Sequence, residues 1–235
     1  MEASNPLPST TRSDYDAFWN DPGRVEEFAA RAPDLRLVEL AAAYPEPRSV
    51  RVLDLGCAGG RNTRFLAERG FDVHAIDSAE AMVAKTRARI AELLGAAEAE
   101  RRVRLGRMDD LGWAASASFD LVVALGIFQE AEDEAEWERS LAETARVLAP
   151  GGRLLVAAFT PRTALDGRTL EHVPETRFVY RGHRSGGTMC LVEAPELDVE
   201  LARFGFRTEV PTETVVRAAG TGQRVTANGR YVKDA

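Results

Sequence analysis

The chain has 235 residues with 30 Lys+Arg against 37 Asp+Glu, a net charge of −7. That length suits one sizeable core, and an acidic surface without long single-sign blocks speaks against nucleic acid as the main partner. The two cysteines, Cys57 and Cys190, have neither metal-ligand nor disulfide spacing, and no apolar stretch reaches the length of a membrane span, so no metal and no membrane are expected and a cytoplasmic setting is the default.

Residues 1–13 are polar and Pro-containing and read as a disordered tail. Three aromatics follow within five positions, Tyr15, Phe18 and Trp19. Phe18 and Trp19 read as core, and Tyr15 as a candidate for touching a ligand. One helix is expected after Asn20-Asp21-Pro22 and a second from Asp34 to Tyr44, stopped by Pro45 and Pro47.

Val50 to Leu55 then runs as a short apolar strand and breaks into Gly56-Cys57-Ala58-Gly59-Gly60 before a helix with Phe65 and Leu66. Strand, glycine turn and helix in that order leave backbone N–H groups and the positive end of a helix dipole free to meet a negative or electron-rich group. A dinucleotide fingerprint, G-x-G-x-x-G, fails here at its second glycine. The next strand, Phe71 to Asp77, ends in a carboxylate about 20 residues beyond Gly56, the distance at which an acid accepts ribose hydroxyls in nucleotide sites. Ser78 follows as a plausible N-cap, and His74, mid-strand, reads as a satisfied structural histidine.

Val103 to Arg107 is the third strand, leading into Met108-Asp109-Asp110-Leu111. Phe119 to Leu125 is the fourth, apolar almost throughout, as a central parallel strand buried on both faces should be. It ends in Gly126-Ile127-Phe128-Gln129-Glu130. A helix from Glu134 to Leu148 stops at Pro150-Gly151-Gly152, and Arg153 to Phe159 is the fifth strand.

These segments resemble the class I S-adenosylmethionine (SAM)-dependent methyltransferases. Asp54, Gly56 and Gly60 match that family's first motif, with Ala58 at its middle glycine. Phe119-Asp120 with the fourth strand, and Leu148-Ala149-Pro150-Gly151-Gly152, match later ones. Within the family the chain looks like the tellurite-resistance-type, small-molecule branch.

The resemblance implies an α/β fold: a doubly wound, mostly parallel seven-stranded Rossmann-like sheet whose last strand inserts antiparallel beside the sixth. It also implies in-line transfer of the SAM methyl to a small-molecule O, N or S nucleophile. Implied cofactor contacts are Asp54, Gly56, Cys57, Ala58, Gly60 and Asn62 at the turn, Asp77 and Ser78 at the ribose, and Leu125 and Gly126 at the methyl. The family's adenine-binding acid is Arg107 here, so Met108 and Asp109 are the candidates for holding the base. Gln129 and Glu130 stand where relatives often carry histidine. Two alternatives remain: an NAD(P)-dependent oxidoreductase on a related sheet, and a SAM-binding protein without catalysis.

The division expected is a single domain over 14–235, with a helical cap (14–48), a SAM-binding core (49–159), a lid insertion (160–194) and a C-terminal helix with strands (195–235). The charge changes at the lid: residues 1–159 carry 19 basic against 27 acidic side chains, the remainder 11 against 10. Two alternating runs, 176–180 and 188–192, predict an antiparallel hairpin inside it. His172, Tyr180 and His183 in this lid, with Gln129, are the catalytic candidates.

Overall fold

The computed structural model describes residues 12–165, 168–182 and 187–235, with side chains from Tyr15 onward. The chain begins with α1 (Arg12–Trp19), α2 (Pro22–Ala30) and α3 (Leu35–Ala42). Of the stretch read as a tail, residues 1–11 lie outside the described residues and 12–13 belong to α1. Asp21 and Asp34 cap α2 and α3, each accepting from a backbone N–H in the first turn.

The core then alternates β1 (Arg51–Leu55), α4 (Arg61–Glu68), β2 (Asp72–Asp77), α5 (Glu80–Leu94), α6 (Ala96–Arg102), β3 (Val103–Leu105), β4 (Phe119–Leu125), α7 (Glu134–Val147) and β5 (Leu148–Phe159). Gly95, at φ +86°, ends α5, and the extra helix α6 fills a stretch to which the sequence assigned no element. β5 starts five residues early because Leu148 pairs with Phe119 ahead of the Gly151-Gly152 turn.

After β5 come β6 (Glu171–His172), β7 (Val179–Arg181), β8 (Thr188–Cys190), α8 (Ala194–Ala202), β9 (Phe206–Ala219) and β10 (Gly222–Lys233). The main sheet has seven strands in the order β3-β2-β1-β4-β5-β10-β9. β1 to β5 are parallel, and β10 lies antiparallel between β5 and β9. The doubly wound sheet with a reversed last strand is therefore the fold.

Strand periodicity sorts the faces. Val52, Val73, Leu121 and Val123 pack with Leu37 and Leu40 of α3 and Leu66 of α4, while Ala75 meets Val83 and Ile90 of α5. Leu53, Leu55, Val122, Ala124 and Val156 face the opposite layer, with Trp137 and Leu141 of α7 and Leu197 and Leu201 of α8. Trp137, fully buried and 5.4 Å from the Phe178 ring, ties the insertion after β5 into that layer.

The insertion holds a three-stranded sheet, β6-β7-β8, rather than a two-stranded hairpin. Its apolar residues Phe178, Val179, Cys190 and Val192 are stitched into the α7–α8 core. At the far edge of the main sheet, the β9–β10 register shifts between Asn228 and Arg230, and Pro211 falls in the gap between the pairs Glu213–Asn228 and Val210–Arg230.

Candidate active site

The order of β1 to β5 reverses between β1 and β4, and in open α/β sheets ligands bind at such a point, beyond the carboxyl ends of the strands. Two adjoining hollows lie there, both open to solvent. Tyr15, Gly56, Asp77, Ser78, Ile127 and Glu130 line both, so they form one crevice.

At the floor, the N–H groups of Gly56 and Cys57 donate to the Ile76 carbonyl at 2.9 and 3.0 Å, fastening the turn to β2. Gly56 has φ +75°, and a Cβ there would stand 2.8 Å from the Ile127 side chain. The position is closed to other residues by conformation and by space. Ala58 also adopts a left-handed backbone, φ 47°, at a cost of about 1–2 kcal/mol for an L-residue. Ala58→Gly should therefore leave stability unchanged or raise it, whereas Ala58→Val should lower it by about 1–3 kcal/mol in urea unfolding.

Asp77 is the hub of the turn. Its Oδ2 accepts from the Ala58 N–H at 2.8 Å and its Oδ1 from the Ala79 N–H at 3.0 Å. Burial raises its pKa, and those backbone donors act against the rise. Thr86 of α5 donates to the Ala58 carbonyl at 2.6 Å, tying the turn to that helix.

Cys57, Ala58 and Asn62 line the larger hollow with Leu125 and Gly126. Met108 lines the smaller one beside Gly106 and Arg107. Three expected cofactor contacts sit elsewhere. Asp54 shares the sheet face of Val52 and is buried beneath the turn, where its Oδ2 accepts from Thr63 Oγ1 at 2.6 Å. Burial pushes its carboxyl up to about 6, against the pull of Thr63 and Arg61.

Gly60 caps α4 in a left-handed conformation and is pressed against α5: a Cβ there would stand 2.8 Å from Thr86 Oγ1. Its requirement for glycine comes from that backbone conformation and from packing. Asp109 does not line either hollow; Arg107 Nε holds its Oδ1 at 3.0 Å and Arg139 its Oδ2 at 3.1 Å. Arg107 also pairs with Glu136, a buried wall residue of the smaller hollow whose second oxygen accepts from the Glu132 N–H at 3.0 Å. The Arg107 guanidinium is thus neutralised by two carboxylates.

The catalytic candidates fare differently. His172 and Tyr180 pack against each other at 5.1 Å between ring centroids, on β6 and β7, and line neither hollow. The apolar side of the insertion is committed to the α7–α8 core, which holds these two away from the crevice. His183 lies outside the described residues. Gln129 is buried with its Oε1 unpaired and its Nε2 directed at Glu130, 3.4 Å away; it too is absent from the lining. His74 is not satisfied as expected. Its Nδ1 has no partner, its Nε2 is 3.8 Å from Asp72, and burial lowers its pKa.

The crevice is covered from the N-terminal side. Tyr15 and Trp19 of α1 and Phe28 of α2 wall the larger hollow, with the Trp19 and Phe28 rings edge to face at 5.5 Å. Trp19 therefore lines the crevice as well as packing, a placement that helical spacing cannot distinguish. Lys85 of α5 holds Glu26 of α2 at 2.7 Å, and the Ala81 N–H donates to Asn20 at 2.9 Å, which fixes this cover to the body.

The methyltransferase domain family matches residues 52–152. A ubiquinone biosynthesis O-methyltransferase of Xanthomonas axonopodis pv. citri (strain 306) is 32% identical over 140 residues, taking in 60% of this chain. The match spans 55% of that relative's length. Among solved structures, a 1,6-didemethyltoxoflavin-N1-methyltransferase of Burkholderia thailandensis, with 1,6-didemethyltoxoflavin and S-adenosylhomocysteine bound, superposes at TM-score 0.62 and 21% identity over 95% of this chain and 84% of that one. The cyclase SpnF superposes at the same TM-score and 18% identity over 99% of both chains. The family match runs from β1 into β5, through the strands and turns that build the crevice, and over this stretch the chain is similar to methyltransferase domains.

Proposed function

We propose that the chain transfers the SAM methyl to a small-molecule nucleophile held between the strand tips and the aromatic cover. The observation that carries this reading is the crevice: a glycine turn, a carboxylate at the tip of β2 and the end of β4 open into one hollow. The residues suit the cofactor. Asp77 retains acceptor capacity for ribose hydroxyls, since each carboxylate oxygen has more than one lone pair. Met108 and Ile76 offer an apolar wall for the base, and Leu125 with Gly126 bounds the space for the methyl.

The larger hollow suits a flat acceptor, because its cover is Tyr15, Trp19 and Phe28. The relatives take different atoms: the names quoted above specify O-methylation in one and N1-methylation in the other. In-line displacement demands alignment of nucleophile, methyl and sulfur and the exclusion of water, and both can come from positioning. Two of the insertion's described arginines offer little to an anionic acceptor. Arg177 is paired with Glu134 and Glu200, and Arg162 with Glu193. Both cysteines are free and buried, in keeping with a reducing, cytoplasmic setting. No described helix is long and apolar enough to cross a membrane.

Thermal melting with S-adenosylhomocysteine, SAM and NAD in parallel tests the reading. At 100 times Kd, a ligand bound only by the folded state adds about 2.7 kcal/mol, a rise of about 5–10 °C for a domain of this size. Rises with the adenosyl compounds and none with NAD are expected. A rise with NAD alone would overturn the reading. Cofactor binding without methyl transfer across phenol, amine and thiol acceptors would leave a non-catalytic SAM-binding protein.

A further inference from the structure

Building on the methyl-transfer reading above, we propose that Glu130 is the proton acceptor of the reaction, serving a weakly acidic hydroxyl on a flat ring. Glu130 closes the 3-10 turn Phe128–Glu130 that follows β4, and it lines both hollows although only 9% exposed. Its Oε1 is 3.4 Å from Gln129 Nε2; Tyr15 and Trp19 of α1 face the carboxyl from the cover, and no donor lies within hydrogen-bond distance of Oε2. A buried carboxylate oxygen without a donor is costly. The cost is relieved when a hydroxyl arrives from the crevice.

The other acids nearby are committed. Asp54 lies beneath the turn with Thr63, Asp77 holds the Ala58 and Ala79 N–H groups, and Glu136 holds Arg107 and the Glu132 N–H. Glu130 alone among these four both lines the crevice and keeps an oxygen spare.

The surroundings set its strength. Burial pushes the Glu130 carboxyl up to about 7, and the Asp77 charge on β2 adds to the rise. Tyr15 and Trp19 of α1 and Gln129 on its own turn draw it down. The remaining charged groups of the lining are Arg107 and Glu136, which pair with each other in the smaller hollow, and Arg61 of α4 in the larger. A base effective near neutral pH can take the proton of a phenol-like hydroxyl, for which an ordinary carboxylate is too weak. The aromatic cover gives the ring its place.

The step balances. The acceptor O–H bond breaks and its proton passes to the Glu130 carboxylate, while the oxygen forms the O–CH₃ bond. The methyl–sulfur bond breaks with its pair on sulfur, discharging the sulfonium, and Glu130 later gives the proton to water.

Two measurements on the full chain and on Glu130→Gln test this. In the first, glutamate carboxyls labelled with carbon-13 are titrated by NMR with S-adenosylhomocysteine bound, without and with para-nitrophenol. One carboxyl should titrate near neutral pH, vanish in E130Q, and keep its proton to higher pH when the phenolate is present. In the second, E130Q should methylate phenols about 10²- to 10⁴-fold more slowly and lose the pH limb near neutrality. S-adenosylhomocysteine affinity, and methylation of thiophenol, which is already ionised at about pH 8, should stay within about threefold of the wild type. A carboxyl that ignores para-nitrophenol, undiminished phenol methylation by E130Q, or equal losses with thiophenol overturns the proposal. A wild-type chain that binds no S-adenosylhomocysteine overturns the methyl-transfer reading itself.

Discussion

Asp77→Asn should weaken S-adenosylhomocysteine binding by about 10²-fold or more in calorimetry, from the loss of charge-assisted hydrogen bonds worth about 1.5–3 kcal/mol each. The carboxylate is spoken for on both oxygens, by Ala58 N–H and Ala79 N–H, before any ligand arrives. An amide has one acceptor atom, so in either orientation its NH₂ confronts a backbone N–H and breaks one bond of the turn. Toward the ligand, the variant also loses the charge that strengthens hydrogen bonds to ribose hydroxyls. Asp109→Asn is the control. Asp109 serves Arg107 and Arg139 outside the crevice lining, and its variant should keep S-adenosylhomocysteine affinity within about threefold. Equal losses in the two variants would show that Asp109 reaches the ligand after all.

A second large effect concerns stability. Glu130 carries a carboxyl pushed up to about 7 from an ordinary 4.5. Between those values the folded chain holds a proton that the unfolded chain has released. Stability therefore falls as pH rises through that window. Below it both states are protonated and nothing is lost; above it the full cost of the buried charge is present, about 3 kcal/mol at about 1.4 kcal/mol per unit. Gln never ionises, so E130Q should match the wild type in urea unfolding near pH 4.5 and exceed it by about 3 kcal/mol near pH 8. Asp54 is shifted in the same direction, but it is present in both proteins and cancels in the difference. A constant difference across the range would mean that Glu130 titrates like an exposed carboxylate. The same substitution is expected to steady the fold and to slow the chemistry, the trade common at functional sites.

The succession of strands and helices was legible because β1 to β4 each end at an acid or run straight into a glycine, and the core strands carry apolar residues in the expected period. Gly56, Asp77 and Gly126 sit at strand tips, and topology brings strand tips together without any knowledge of side-chain contacts. The placements that the sequence did not foretell are mostly long-range. Asp109 is taken up by Arg139 on α7, thirty residues on, and no local pattern announces that pairing. His172 and Tyr180 looked placed to cover the crevice, yet the apolar residues beside them, Phe178 and Val179, found the α7–α8 core first. Asp54 is a different case. Two-residue alternation from Val52 already sends it toward α4, so strand period alone could have separated it from the ligand side. Trp19 and Phe28 show the limit of helical spacing, since one aromatic face can be packed and line a cleft at once.

The rim of the sheet bears on how the chain behaves among its own copies. β9 is fourteen residues long, lies at the edge, and has most of its side chains exposed. An outer strand of that length presents a row of unpaired N–H and C=O groups, the template on which another extended chain can grow. Pro211 interrupts that row, because it has no N–H to offer an incoming strand. The irregularity opposite it, between Asn228 and Arg230, bends the edge at the same place. Glu209, Glu213 and Arg217 add charge on either side of the break. A strand arriving from solution would find the ladder straight for only a few residues before it met a proline and a bend, so the longest hairpin of the fold can stand in water without recruiting another.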